Sequence, residues 1–167
     1  VSASGHDNAT AGPVRGLGPG FRVTLRSMER HSLDIAFVSD VACPWCAIGL
    51  ASFEQALARL GEDVSVTLHF EPFELNPDMP PEGAETVAYL MRKYGRTAEQ
   101  VGEAQARIRE RGAAVGFVFG PRKHVWNTFD AHRMLHWAGL EGRGLELKRA
   151  LLQAYHGEGR NPGASDV

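Results

Sequence analysis

Hydrophobic patterning in the first half of the chain predicts a strand–helix–strand unit. Residues 33–38 form a nearly continuous apolar run, which is typical of a strand in a parallel sheet. From Pro44 onward, apolar residues recur every three or four positions and predict a helix that ends at Gly61. Residues 64–71 alternate between apolar and polar side chains, as in a strand with one buried face, and Pro72 stops the pattern. We therefore expect two parallel strands joined by a right-handed crossover helix.

The rest of the chain has a helical pattern. It predicts four further helices, the second of which opens with the capping box Thr97-x-x-Gln100. A glycine-punctuated loop is expected over residues 112–121, Asn127 or Thr128 is expected to cap the next helix, and the last helix is expected to end at Gly157.

Composition adds a boundary near residue 30. Residues 1–30 are rich in Gly, Ser, Ala and Arg and lack sustained periodicity, so we expect a disordered extension. The expected organisation continues with a strand–helix–strand half over residues 31–78, a helical domain over 79–160 and a short tail over 161–167.

The overall composition is that of an ordinary globular protein. The chain has 167 residues, 43% of them hydrophobic, and a net charge of −2, so no global field favours nucleic acid or an anionic membrane as a partner. No apolar run approaches the ~18 residues that span a bilayer, and no secretory hydrophobic region is visible. We expect a cytoplasmic protein.

The only two cysteines, Cys43 and Cys46, lie where the first strand pattern gives way to the first helix. Pro44 suits the first turn of a helix, which places Cys43 at the N-cap, where free backbone N–H groups and the helix dipole favour a thiolate. Cys46 lies one turn further, on the face that should point to the core. The spacing therefore predicts a redox pair in which Cys43 attacks a disulfide and Cys46 resolves the mixed disulfide.

Two other interpretations of the cysteine pair remain open. A Cys-x-x-Cys pair can form half of a zinc site, but there is no second pair, and the seven histidines would have to complete it. The cysteines can also be buried and inert, although Pro44 and the strand–helix junction favour a defined geometry.

Several segments together resemble the DsbA-like thioredoxin superfamily, and within it the FrnE-like dithiol–disulfide oxidoreductases. These are SDxxCPWCxxG at residues 39–49, FEPFELNP at 70–77, AYL at 88–90, GFxF at 116–119, NTxxAHR at 127–133 and AYHGEG at 154–159. The resemblance covers residues 32–160 and implies an α/β fold, in which a thioredoxin-like βαβ unit is followed by an inserted helical domain.

The same resemblance implies a second thioredoxin half, made of a cis-proline loop, a hairpin and a helix. Only five residues follow Pro162, and no strand pattern follows Pro121, so this half is expected to be missing and the chain looks truncated at its C-terminus. A two-stranded unit with an exposed edge would then lie beside the helices.

Other side chains near the predicted site have two interpretations each. Asp40 can relay a proton to the cysteines, or it is a polar residue at a strand end. Trp45, between the cysteines, is expected to be partly exposed, in contact with substrate or tuning the redox pair. The resemblance makes Asn127 and His132 candidates for the substrate pocket, whereas capping explains Asn127 equally well.

No metal site is expected elsewhere in the chain. His132 and His136 are four residues apart on one predicted helix face, but no third ligand sits at a telling spacing. Three aromatic residues of the second half are expected in the core rather than around a cofactor: Phe117, Phe119 and Trp126.

These observations predict a thiol–disulfide oxidoreductase that needs no metal or organic cofactor. Its expected partners are disulfide-bearing proteins or glutathione, with no nucleic acid and no membrane. One alternative is a glutathione-dependent isomerase or transferase similar to hydroxychromene-carboxylate isomerases, which usually have Ser at the position of Cys43. The other alternative is an incomplete gene product with little activity.

Overall fold

The first half of the structure is a pair of parallel strands joined by a helix. A computed structural model describes residues 31–167, so the expected disorder of residues 1–30 lies outside the described range. Strand β1 (His31–Ser39) pairs in parallel with β2 (Val64–Pro72). Helix α1 (Pro44–Leu60) and a 3₁₀ turn (Gly61–Asp63) connect them. The predicted parallel strand–helix–strand unit is confirmed.

The second half contains four helices and a short strand pair. The helices are α2 (Thr86–Tyr94), α3 (Ala98–Ala114), α4 (Phe129–Leu140) and α5 (Gly144–Leu152), and a π-helical turn (Gln153–Gly157) follows α5. The capping box at Thr97 and Gln100 forms as predicted. Strands β3 (Ala84–Glu85) and β4 (His124–Val125) pair antiparallel, a contact that the sequence pattern did not predict.

Two buried clusters connect the strand unit to the helices. In the first cluster, Val41 and Ala42 pack with Leu135, Leu151 and Tyr155. The second contains Ala47 and Leu50 of α1 with Leu152 of α5, and the partly buried aromatic residues Phe37, Phe70, Phe117 and Phe119 pack against it. Phe117 and Phe119 therefore lie at the core, as expected, and Trp126 packs against the first cluster. The division into domains at residue 78 stays a prediction.

The prediction of a loop over residues 112–121 is wrong at its N-terminal end. Helix α3 runs through Gly112 to Ala114. A Cβ atom at Gly112 would overlap the ring of Phe119, so this glycine permits close packing on an unbroken helix. Glycine is disfavoured in a helix by only about 1 kcal/mol, which such packing can offset.

One predicted helix end needs correction, and one of the two capping candidates for α4 is confirmed. The last helix does not continue regularly to Gly157, because the backbone widens into the π-helical turn after Leu152. At the start of α4, Thr128 occupies the N-cap position without a side-chain cap, and the Asn127 side chain accepts a hydrogen bond from the Phe129 backbone N–H at 2.8 Å instead.

Strand β1 is less buried than its apolar run predicts. Leu33 is 46% exposed and Val38 is 62% exposed. Within residues 31–167, β2 is the only strand that pairs with β1, so part of its apolar surface has no cover in the described structure. In the same part of the chain, no helix has both the length and the apolar character needed to cross a bilayer.

Candidate active site

The loop between β1 and α1 places the two thiols on the first turn of the helix. Cys43 is the N-cap residue, with extended backbone angles (φ −86°, ψ 112°), and Pro44 begins the helix. The Cys43 N–H donates to the Asp40 carbonyl at 3.2 Å, and the Cys43 carbonyl accepts from the Cys46 N–H at 3.1 Å. Both cysteines are free thiols and half-buried. The N-cap position predicted for Cys43 is therefore where the structure places it.

The two thiols differ strongly in acidity. A hydrogen bond from the Cys46 thiol lowers the pKa of Cys43 to about 6, against the opposing effect of burial, and the backbone N–H groups of Cys46 and Trp45 add to the lowering. The same hydrogen bond, followed by burial, raises the pKa of Cys46 well above its usual range. Cys43 is thus the thiolate at neutral pH, and Cys46 is the thiol that stabilises it.

Trp45 and Pro44 border the entrance to Cys43. The Trp45 side chain is 54% exposed, as expected for a residue that cannot pack on both sides of the cysteine pair. Cys43, Pro44 and Trp45 together line a cavity of about 690 Å³ that reaches across to α2, α3 and the loop before β4. A molecule bound in this cavity would lie against Cys43.

Asp40 lies beneath the cysteine loop and holds three elements together. Its carboxylate accepts hydrogen bonds from the backbone N–H groups of Ala42 at 3.0 Å and Leu75 at 2.6 Å. It also accepts from His132 Nε2 on α4 at 3.3 Å. Burial raises the pKa of Asp40, but the hydrogen bonds, led by that from His132, outweigh burial and hold it below its usual value.

The two pocket candidates lie away from the cavity wall. His132 is buried against Asp40, and because a carboxylate only accepts hydrogen bonds, its Nε2 is the protonated nitrogen. The Asn127 amide donates to the Met79 carbonyl at 2.8 Å. The geometry gives both residues contacts that fix loops, and their role in substrate binding stays a prediction.

Lys148 is a charged residue near the site that the sequence analysis missed. It is 0% exposed, its Nζ has no hydrogen-bond partner within residues 31–167, and it lies 5.8 Å from the centre of the Phe70 ring. Burial lowers the pKa of Lys148 to about 8, partly opposed by the negative charge of the ionised cysteine pair and of Asp40. A signal was present, because Lys148 falls at helical spacing between the apolar residues Leu145 and Leu152.

The π-helical turn supplies a second missed residue, His156. Its Nε2 donates to the Val41 carbonyl at 2.9 Å, and its ring packs against Phe119 and Tyr155. Burial lowers the pKa of His156 to about 3, so the ring is neutral at physiological pH. This contact fixes the backbone two residues before Cys43.

The chain matches a known protein family over most of its length. The family described as DSBA-like thioredoxin domain matches residues 34–167. The chain belongs to this family. The match includes the DsbA-like cysteine pair and all five α-helices, so the α/β fold with a thioredoxin-like unit followed by helices is confirmed, as is the superfamily that the sequence resembles.

Part of a solved structure is similar to this chain. A "probable DsbA oxidoreductase" from Streptomyces coelicolor superimposes with a TM-score of 0.69 at 33% sequence identity, covering 77% of this chain and 56% of that one. The "uncharacterized protein YwbO" of Bacillus subtilis is 28% identical over 137 residues, which are 81% of this chain and 62% of that protein. The chain thus spans about three-fifths of the length of these two proteins.

The described part of this DsbA-like chain contains no cluster of metal ligands. Between residues 31 and 167, no group of three or more His, Cys, Asp or Glu side chains is close enough together to hold a metal ion. His132 turns its Nε2 to Asp40, whereas His136 is exposed.

Proposed function

We propose that the chain is a thiol–disulfide oxidoreductase in which Cys43 is the nucleophile and Cys46 is the resolving cysteine. The observation that carries this proposal is the unequal thiol pair at the N-terminus of α1, with the pKa of Cys43 lowered to about 6 and that of Cys46 raised. A thiolate that is partly exposed beside a cavity is the arrangement that disulfide exchange requires.

The proposed reaction has two exchange steps. The Cys43 thiolate attacks one sulfur of a substrate disulfide, which forms a mixed disulfide and releases the other sulfur as a thiolate. Cys46 then loses its proton and attacks the Cys43 sulfur, which releases the second substrate thiol and leaves a Cys43–Cys46 disulfide. The chain gives up two electrons in this direction, and an external dithiol restores them.

The proposal also covers the direction of the exchange reaction and the branch of the superfamily to which the chain belongs. In the cytoplasmic setting that we expect, the glutathione pool keeps such a pair reduced, which favours reduction or isomerisation of substrate disulfides over net oxidation. Membership of the FrnE-like branch rests on the sequence segments around residues 39–49 and 70–77. Disulfide-bearing proteins and glutathione are the substrates that we propose.

Reduction of insulin disulfides tests the proposal. With dithiothreitol as the electron source, we expect the wild type to accelerate insulin precipitation, whereas Cys43→Ser does not accelerate it. Cys46→Ser is expected to trap a mixed disulfide on Cys43 after one exchange. Equal rates for the wild type and Cys43→Ser would contradict the proposal, provided that circular dichroism shows both to be folded.

A further inference from the structure

The cavity beside Cys43 has a size and position suited to a small ligand. Its volume of about 690 Å³ falls within the range of small-molecule sites, roughly 300–1,000 Å³. One wall is the cysteine turn with Trp45, another is formed by α2 and α3, and the third is the loop leading to β4. A folded protein domain cannot enter a space of this size.

Apart from the Cys43 thiolate, the charged side chains that line the cavity are all cationic. Among residues 31–167, its wall contains no Asp or Glu, and it contains six cationic side chains: Lys93, Arg96, Arg107, Arg109, Arg122 and Lys123. The whole chain has a net charge of −2, so this cationic wall is a local feature and not a consequence of composition. A cleft lined by one sign of charge raises the local concentration of ligands of the opposite sign.

These cations are not neutralised within the described structure. Among residues 31–167, none of the six forms an ion pair with a carboxylate. Lys93 donates to two neutral groups, the Leu75 carbonyl at 2.7 Å and the Asn76 side chain, and Arg122 donates to the Ala42 carbonyl at 3.4 Å. The wall therefore has the capacity to pair with the anionic groups of a ligand.

We propose that this cavity selects small-molecule disulfides that carry two or more anionic groups, carboxylates or phosphates, and presents their S–S bond to Cys43. The proposal rests on the proposed oxidoreductase function and specifies its substrate class. The anionic groups would pair with the cations of α2 and α3, while apolar atoms contact Trp45 and Phe119. The exchange is the balanced one above: the ligand disulfide gains two electrons and leaves as two thiols, and dithiothreitol supplies the electrons.

Three small disulfides of different charge test this selection. Glutathione disulfide has a net negative charge, hydroxyethyl disulfide is neutral and cystamine is positively charged. We expect kcat/KM, corrected for the uncatalysed reaction, to fall in that order. The ratio of kcat/KM for glutathione disulfide to kcat/KM for cystamine should fall as salt is added, because exposed ion pairs are screened. Equal values for the three disulfides, or the reverse order, would overturn the proposal.

Paired substitutions assign the selection to the cavity wall. Arg107 and Arg109 make no hydrogen bond or ion pair in the described structure, so Arg107→Gln with Arg109→Gln removes charge without breaking a contact. Each lost pair is expected to reduce kcat/KM for glutathione disulfide roughly two- to fivefold. The loss for hydroxyethyl disulfide should stay below about twofold, because this neutral disulfide forms no ion pair with the arginines. Arg59→Gln with Arg143→Gln removes the same charge away from the cavity and should change neither value by more than about twofold.

The remaining outcomes separate this proposal from the oxidoreductase function. If hydroxyethyl disulfide is reduced equally by the wild type and by Cys43→Ser, the function itself fails. If Cys43 is required but the double cavity variant loses as little as the control variant, only the selection for anions fails. A loss on insulin as large as that on glutathione disulfide would overturn the assignment to small molecules.

Discussion

At the scale of single residues, the site depends on how one hydrogen bond divides the acidity of two identical side chains. The Cys46 thiol donates to Cys43 and lowers its pKa to about 6, while the pKa of Cys46 itself rises. The sequence predicted which cysteine is which, because Pro44 marks the first helical position and so places Cys43 at the N-cap. It also placed Cys46 within reach of Cys43, but it assigned Cys46 to the face that points to the core, whereas the residue is half-buried.

Replacing the donor should reveal this hydrogen bond. In Cys46→Ala, the pKa of Cys43 is expected to rise from about 6 toward the ordinary value of 9, because the largest cause of its lowering is lost. Thiolate absorbance in the ultraviolet as a function of pH measures this directly. Cys46→Ser, which keeps a hydroxyl donor, should lie between the wild type and Cys46→Ala. A titration of Cys46→Ala identical to that of the wild type would contradict the assignment.

The buried ammonium group of Lys148 should destabilise the fold, so that replacing Lys148 with an apolar residue should raise the free energy of unfolding. Its pKa is about 8 in the fold and 10.5 ordinarily, so the folded state binds its proton less tightly than the unfolded chain. The resulting penalty, roughly 3 kcal/mol, applies in full below pH 8 and disappears as the pH rises toward 10.5.

We therefore expect Lys148→Met to be more stable than the wild type by roughly 2–3 kcal/mol at pH 7. The difference should be clearly smaller at pH 9.5, and urea denaturation at both values measures it. Lys123→Met, at an exposed position, should change stability by less than about 0.5 kcal/mol. A destabilised Lys148→Met variant would show that the ammonium has a partner that stabilises the fold.

At the scale of elements, Asp40 joins the end of β1 to the loop after β2 and to α4. Both interpretations of Asp40 from the sequence assumed a local role. Its partners Leu75 and His132 lie 35 and 92 residues away, and a local sequence pattern does not reveal contacts at that separation. In the structure this carboxylate fixes the backbone on both sides of the cysteine loop, and the proton relay stays a prediction.

Asp40→Asn should lower the free energy of unfolding by about 2–4 kcal/mol at pH 7, because an amide cannot accept from all three donors. The pKa of Asp40 lies below 3.8 in the fold, so its stabilising effect is complete at neutral pH and is lost as the pH falls through that folded value. Urea titrations should accordingly show the two proteins converging in stability below pH 4. If the difference in the free energy of unfolding between the two proteins did not change with pH, the stabilising effect would not come from the ionised Asp40 carboxylate.

Two glycines of α3 offer a matched test of the packing between this helix and the loop after it. A Cβ atom at Gly102 would meet open space, whereas one at Gly112 would overlap the ring of Phe119. Gly102→Ala is expected to stabilise the protein by about 0.5–1 kcal/mol through helix propensity. Gly112→Ala should destabilise it by about 1–3 kcal/mol through overpacking, and thermal unfolding distinguishes the two. Equal effects would mean that Phe119 does not pack on the helix.

At the scale of the whole molecule, local pattern predicted the elements and the reactive turn but not what surrounds them. Pattern sufficed for β1, α1 and β2 because their spacings are regular and their ends are marked by Pro44, Gly61 and Pro72. It could not reveal the cationic cavity, since its six charges are spread from Lys93 to Lys123 and acidic residues elsewhere balance them. It also missed the β3–β4 contact, because two-residue strands have no detectable period.

The central claim is that Cys43, and not Cys46, is the activated thiolate of an exchange site. The pH dependence of alkylation by iodoacetamide tests it most directly, because the chain has only these two cysteines and peptide mapping distinguishes them. For the reduced wild type, we predict modification at Cys43 first, with a rate that rises through a midpoint near pH 6. Modification of Cys46 first, or a midpoint near the ordinary value of 9, would contradict the account.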